Sequence, residues 1–119
     1  MNIKGIVAAV LLGGAATVGV STPALADYCG DALCVFQNPN VTGPVEGFNV
    51  ADTNFNNGNH FSNGVNTNDN ISSIDSWTSS SARFYTASLW RGNYEDIASW
   101  ATVNQVRYDE QYSSFRYLV

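Results

Sequence analysis

Apolar residues along this chain fall into short clusters instead of a helical stripe. "LCVFQ", "GFNVA", "ISSIDSW", "ARFYTASLW", "NQVRYD" and "SSFRYLV" are rich in β-branched and aromatic residues, and Asn, Gly and Ser separate them. Short runs bounded by turn residues predict strands, so the pattern predicts an antiparallel all-β domain. "DIASWATV" is the one candidate for a helical turn. The N-terminus follows another rule: Lys4, the apolar stretch "GIVAAVLLGGAATVGV" and the small-residue site "STPALA" have the layout of a signal peptide over 1–26. That leaves 27–119 as one domain, with no run approaching the roughly 20 apolar residues of a membrane span. The expected product is secreted.

The polar stretches repeat. "NDNISS" at Asn68–Ser73 is matched in kind by "DEQYSS" at Asp109–Ser114. Upstream, Phe36 precedes Gly43 by the step that separates Tyr85 from Gly92, and Glu46 and Glu95 follow those glycines at a common step. Four features in one order make the domain a duplication, motif one about 33–77 and motif two about 83–117. In each motif the spacing predicts a hairpin whose Gly takes positive φ with the aromatic ring packed over it. Each serine pair is expected to tie a loop to backbone. Motif one is the longer, and the excess falls around "NVADTNFNNGNHFSNGVNT", where Asn and Gly predict an elongated loop.

Charge narrows the partners. The full chain carries −5, and once Lys4 is set aside with the leader only Arg83, Arg91, Arg107 and Arg116 stand against ten acids. Nucleic acid and anionic membranes are therefore excluded as partners. Cys29 and Cys34, the only cysteines, are expected to pair as a disulfide in an exported chain, stabilising it by about 2 kcal/mol. His60 is the sole histidine and is expected to be exposed, so neither a two-His zinc site nor a His-based triad can be built on it. The acid pairs Glu95/Asp96 and Asp109/Glu110 suggest a glycosidase, but the duplication already accounts for Glu95, Asp109 and Glu110, and no enzyme is expected. The sequons at Asn40 and Asn70 are read as turn composition.

An aromatic and Gly at this spacing, followed by two Asn/Asp, two variable positions and two hydroxyls, resembles the βγ-crystallin superfamily. "RFY" at Arg83–Tyr85 and "SSFR" at Ser113–Arg116 also look like the second motif of its microbial members. The resemblance implies a Greek-key β-sandwich of two motifs. The cysteine pair just before the first strand looks like the secreted bacterial metallopeptidase-inhibitor branch of that fold. Glu110 departs from the pattern, which favours Asp or Asn.

The resemblance also implies two Ca²⁺ sites, each drawing on both loops. Asp69, the Asn70 carbonyl and Ser72 would combine with Asp109, the Gln111 carbonyl and Ser113, and backbone carbonyls near Gln37 and Thr86 would complete the shells. Such mixed oxygen donors suit calcium, bound weakly because formal charges are few. Trp77, Trp90, Trp100 and Tyr94 are expected in core or motif packing, with a sharper alternative in which Trp90, Arg91 and Tyr94 form an exposed anchor patch. The leading expectation is a monomeric interaction module that inhibits a secreted peptidase through "NNGNHFSNG", which includes His60 and Phe61, or through "SLWRGNY". A calcium-binding structural or matrix protein is the alternative, and a killer-toxin-like antimicrobial protein is a third.

Overall fold

The computed structural model describes residues 29–118, so the expected signal peptide lies outside the described residues. Seven strands run in chain order: β1 Leu33–Asn38, β2 Thr42–Phe48, β3 Ser73–Ser76, β4 Ser81–Ala87, β5 Arg91–Ile97, β6 Thr102–Val103 and β7 Ser114–Leu118. They form two antiparallel sheets, β2-β1-β3-β6 and β5-β4-β7. No helix among the described residues is long and apolar enough to cross a membrane.

The duplication expected from the sequence is visible in the ladders. Each motif opens with a hairpin whose register shifts at the matching place, between Phe36 and Asn38 in one and between Tyr85 and Ala87 in the other. The motifs then exchange segments. After β2 the chain crosses over, and Asp52 bridges Phe115 of β7. After β5 it crosses back, and β6 pairs with β3 of motif one. Each hairpin tip is held by the other motif's crossing segment: the Asn40 amide donates to the Asn104 carbonyl (2.8 Å) and the Leu89 amide to the Thr53 carbonyl (2.7 Å). The result is an interlocked Greek-key β-sandwich.

Alternation along the strands fills the space between the sheets. Leu33 and Val35 of β1 and Ala82 and Phe84 of β4 face inward with Ile74, Ile97 and Phe115. Phe84 and Phe115 stack at 5.0 Å, and Phe48 meets Phe55 and Phe115 at 5.2 Å each. The Cys29–Cys34 disulfide forms as expected, with Cα atoms 5.7 Å apart, and pins the N-terminal turn to β1.

Several expectations are corrected. "NQVRYD" is no strand, because its backbone runs as bends and turns from Asn104 to Asp109. "DIASWATV" is no helical turn, since it contains the end of β5 and all of β6. The "GFNVA" strand ends at Phe48 and begins earlier, at Thr42, where the hairpin sets the pairing. Gly43 and Gly92 do take positive φ, 82° and 87°. The Asn38 side chain and the Thr86 hydroxyl crowd the side where a Cβ would stand: a Cβ on Gly92 would sit 2.6 Å from Thr86 Oγ1.

The long segment of motif one is only partly a loop. Asp52 already serves the second sheet, and Phe55 and Phe61 are fully buried. Phe61 therefore cannot belong to an exposed interaction surface, because it anchors the insertion to the core. His60 beside it is exposed, as expected.

Candidate functional site

The two polar repeats meet at one end of the sandwich. Asp69 and Glu110 both turn left-handed, at φ 61° and 59°. Their amides cross to the opposite repeat, Asp69 to the Tyr112 carbonyl (2.9 Å) and Glu110 to the Ile71 carbonyl (3.0 Å). Each loop is then fastened to its own first strand: the Ser72 amide donates to the Phe36 carbonyl (2.9 Å) and the Ser113 amide to the Tyr85 carbonyl (2.8 Å). Gln37 and Thr86, one residue on from those carbonyls, thus flank the loops.

One contact joins functional side chains across the repeats. The Ser113 hydroxyl donates to Asp69 Oδ1 at 3.2 Å. By the symmetry of the amide bonds, the counterpart of Asp69 is Glu110 and not Asp109, which corresponds to Asn68. Asp109 stands exposed in the turn beside it. Around the expected carbonyl donors, the loops are braced by their other polar groups: Asn70 Nδ2 donates to the Asn66 and Asn68 carbonyls (2.8 and 3.2 Å), and the Gln111 amide donates to the Tyr108 carbonyl (3.1 Å). Gln37 Oε1 accepts from Asn63 Nδ2 (3.0 Å), and Thr86 Oγ1 accepts the Asn93 amide (3.0 Å).

Among the described residues, no three His, Cys, Asp or Glu side chains converge as metal ligands. An ion here would rest on one carboxylate per loop pair, with hydroxyls and backbone carbonyls making up the shell. That donor set fits a hard cation such as calcium and excludes a zinc-like site built on nitrogen or sulfur.

The serines divide their work in a way the sequence did not reveal. Ser73 Oγ accepts the Val41 amide (2.9 Å) and donates to the Asn38 carbonyl (2.6 Å). Ser114 Oγ likewise accepts the Trp90 amide (3.2 Å) and donates to the Ala87 carbonyl (2.6 Å). The second serine of each pair holds the hairpin turn, which leaves the first, Ser72 or Ser113, toward the loop.

Glu46 and Glu95, whose recurrence was visible but whose task was not, are latches. Glu46 accepts the Thr67 hydroxyl at the start of the first polar loop. Glu95 accepts the Tyr112 hydroxyl and the Arg107 amide (2.8 Å) in the second. Burial holds the Glu46 carboxyl above the usual range, against the lowering effect of Thr67. Burial and the bond to Glu95 push the Tyr112 phenol far up, so it remains a neutral donor. Glu95 and Asp96 point to opposite faces of β5, so they are not a catalytic pair. The described surface holds no pocket.

The second hairpin exposes the residues of the alternative patch. Leu89, Trp90 and Tyr94 are 57, 37 and 46% exposed, and Arg91 is exposed beside them. Trp100 is also exposed and Trp77 half-buried, while the Trp90 indole N–H donates to the Phe115 carbonyl (3.0 Å), so Trp90 keeps a packing role at the edge of the motif.

No protein-family model matches the chain, and no curated protein matches its sequence. Solved structures do. A βγ-crystallin domain from Flavobacterium johnsoniae is 28% identical, with 75% of this chain and 96% of that one covered at a TM-score of 0.60. A βγ-crystallin from an archaeon is 27% identical, with 72% and 95% covered at 0.58. A structure bearing on the evolution of the eye-lens βγ-crystallin domain is 16% identical, with 73% and 84% covered at 0.63. With its exchanged segments, paired hairpins and crossed loops, the sandwich of residues 29–118 has the βγ-crystallin fold.

Proposed function

We propose that this protein is a secreted, non-catalytic binding module that takes Ca²⁺ weakly in its two crossed loops. The observation that carries the reading is the Ser113–Asp69 contact, which sets an acid of one repeat against a hydroxyl of the other where the backbone is already fixed on both sides. Asp69 and Ser113 would hold one ion and Glu110 and Ser72 the other, with Asp109, the Asn70 and Gln111 carbonyls and the carbonyls near Gln37 and Thr86 as further oxygens. So few formal charges favour low affinity. The test is calorimetry with Ca²⁺ alongside thermal unfolding, since an ion bound only by the native state raises the midpoint by mass action. Binding heat and an upward shift, both reduced by Asp69→Ala, are expected; no heat and no shift would retire the reading.

A second reading, inhibition of a secreted peptidase, is favoured by the β4–β5 tip. Its exposed Leu89 and Trp90 are held by amide bonds to Thr53 and Ser114, and such a prefixed surface loses little entropy on binding. Exposed His60 would contribute from the insertion, without Phe61. Titration of metallo- and serine peptidases with the purified protein decides it, and full activity at micromolar protein would end it.

A further inference from the structure

The outer faces of the two sheets have diverged. Through the repeat, Arg83, Tyr85, Trp90, Tyr94 and Asp96 occupy the places of Cys34, Phe36, Val41, Val45 and Gly47. In the first sheet that face is covered by the N-terminal turn: Cys34 is bonded to Cys29, and the Asp31 side chain lies so close to Gly47 that no Cβ fits. The second sheet carries instead a ladder of alternating guanidinium groups and rings. Arg83 sits 4.0 Å over the Tyr94 ring and grips Asp96 through Nε and Nη2 (2.6 and 3.0 Å). Arg116 donates from Nε to the Tyr85 hydroxyl (2.9 Å) and lies 5.8 Å from the Tyr85 ring and 5.4 Å from that of Trp90.

One pairing within the ladder works against the fold. Arg83 and Arg116 are direct cross-strand partners of β4 and β7, a like-charge pairing that destabilises a sheet. Asp96 neutralises Arg83, but among the described residues no carboxylate pairs with Arg116. With Arg91 at the hairpin, three of the four arginines after the leader gather on and beside this face of an otherwise acidic chain.

We infer that the outer face of the second sheet docks an acidic protein segment, with Arg116 as the fork that receives a carboxylate and Trp90 and Tyr94 as its apolar flanks. Charge complementarity selects the partner, because the face is cationic where the rest of the molecule repels anions. Flatness selects a macromolecule, since no pocket opens here. The guanidinium over Tyr94 disfavours neutral sugars, because Arg83 covers the ring on which they would stack and, with its fork on Asp96, leaves an incoming carboxylate to Arg116. Trp, Tyr and Arg together are the residue types that dominate protein interfaces.

The test uses the isotope-labelled protein in chelator, which makes it independent of calcium binding. It is titrated with poly-L-glutamate, poly-L-lysine and polygalacturonate. Poly-L-glutamate is expected to move the resonances of Arg116 Nε, Trp90 Nε1 and the Tyr94 amide, and poly-L-lysine to move none of them. Arg116→Glu should weaken binding by at least about tenfold, and Arg116→Gln, which keeps a donor for Tyr85, by less. Arg107→Glu, the same charge change away from the ladder, should leave binding near that of the wild type. Equal weakening by Arg107→Glu, or shifts that miss the ladder, would overturn the inference. So would tighter binding of polygalacturonate, or a self-association that Arg116→Glu abolishes, since these assign the face to a polysaccharide or to a second copy.

Discussion

Ser72 and Ser73, like Ser113 and Ser114, are adjacent and chemically identical, yet the structure gives them different work. Ser73 and Ser114 each bridge two backbone groups across a hairpin, so Ser73→Ala and Ser114→Ala should each cost about 1–3 kcal/mol in denaturant unfolding. Ser113→Ala removes a bond to the exposed Asp69 and should cost much less in the absence of calcium. In its presence, Asp69→Ala should remove more of the thermal shift than Glu110→Ala, because Glu110 carries an extra methylene that must bend aside. Glu46 supplies a pH signature. Its folded pKa lies above the ordinary value of 4.5, so the folded state holds the proton more tightly than the unfolded chain does. Its contribution to stability is therefore greatest in acid and falls as pH rises through the window from 4.5 to the raised value. Wild type should gain stability relative to Glu46→Gln as pH is lowered through that window, in chemical unfolding at a series of pH values.

At the scale of elements, the two hairpins have one geometry and different chemistry. Asn40 and Val41 take left-handed φ of 62° and 47°, and Leu89 and Trp90 take 60° and 58°. This is the tight-turn geometry that Asn and Gly accept and that larger L residues resist by roughly 1–2 kcal/mol each. Leu89 is the least suited residue at the second tip and is largely exposed there. Leu89→Asn should therefore stabilise the protein by about 0.5–1 kcal/mol, read as a higher denaturation midpoint. If the tip engages a peptidase, the same substitution should weaken inhibition, which separates backbone strain from contact.

For the whole molecule, the exchange of segments makes the repeats interdependent. The first sheet needs β6 from motif two, and the second needs the Asp52 bridge from motif one. Neither half carries a core large enough to fold alone. Fragments 29–78 and 79–118 should each lack sheet structure by circular dichroism, and mixing them should restore it. A folded single fragment would show that the exchange is not what binds the halves.

The sequence by itself determined the all-β class, the disulfide, the duplication and the positive φ of Gly43 and Gly92, while the meeting of two polar loops was implied only by the family resemblance. What the sequence determined rests on local chemistry: alternation sets strands, Gly sets turns, and a recurring spacing repeats whatever it builds. Only the tertiary structure decided that "NQVRYD" is loop, since Val106 is buried in the core both motifs share while its amide bonds the Ser72 carbonyl outside any strand ladder. Phe61 lies in an Asn-rich stretch that looks exposed locally, but it is buried because the insertion folds back over β2. The overlay of the two polar repeats already paired Asp69 with Glu110, but the amide bonds that cross from each to the opposite repeat join residues far apart in sequence and belong to the tertiary structure. The arginine ladder was beyond reach for the same reason. Arg83, Tyr94, Asp96 and Arg116 sit on three strands, and only strand register places them side by side.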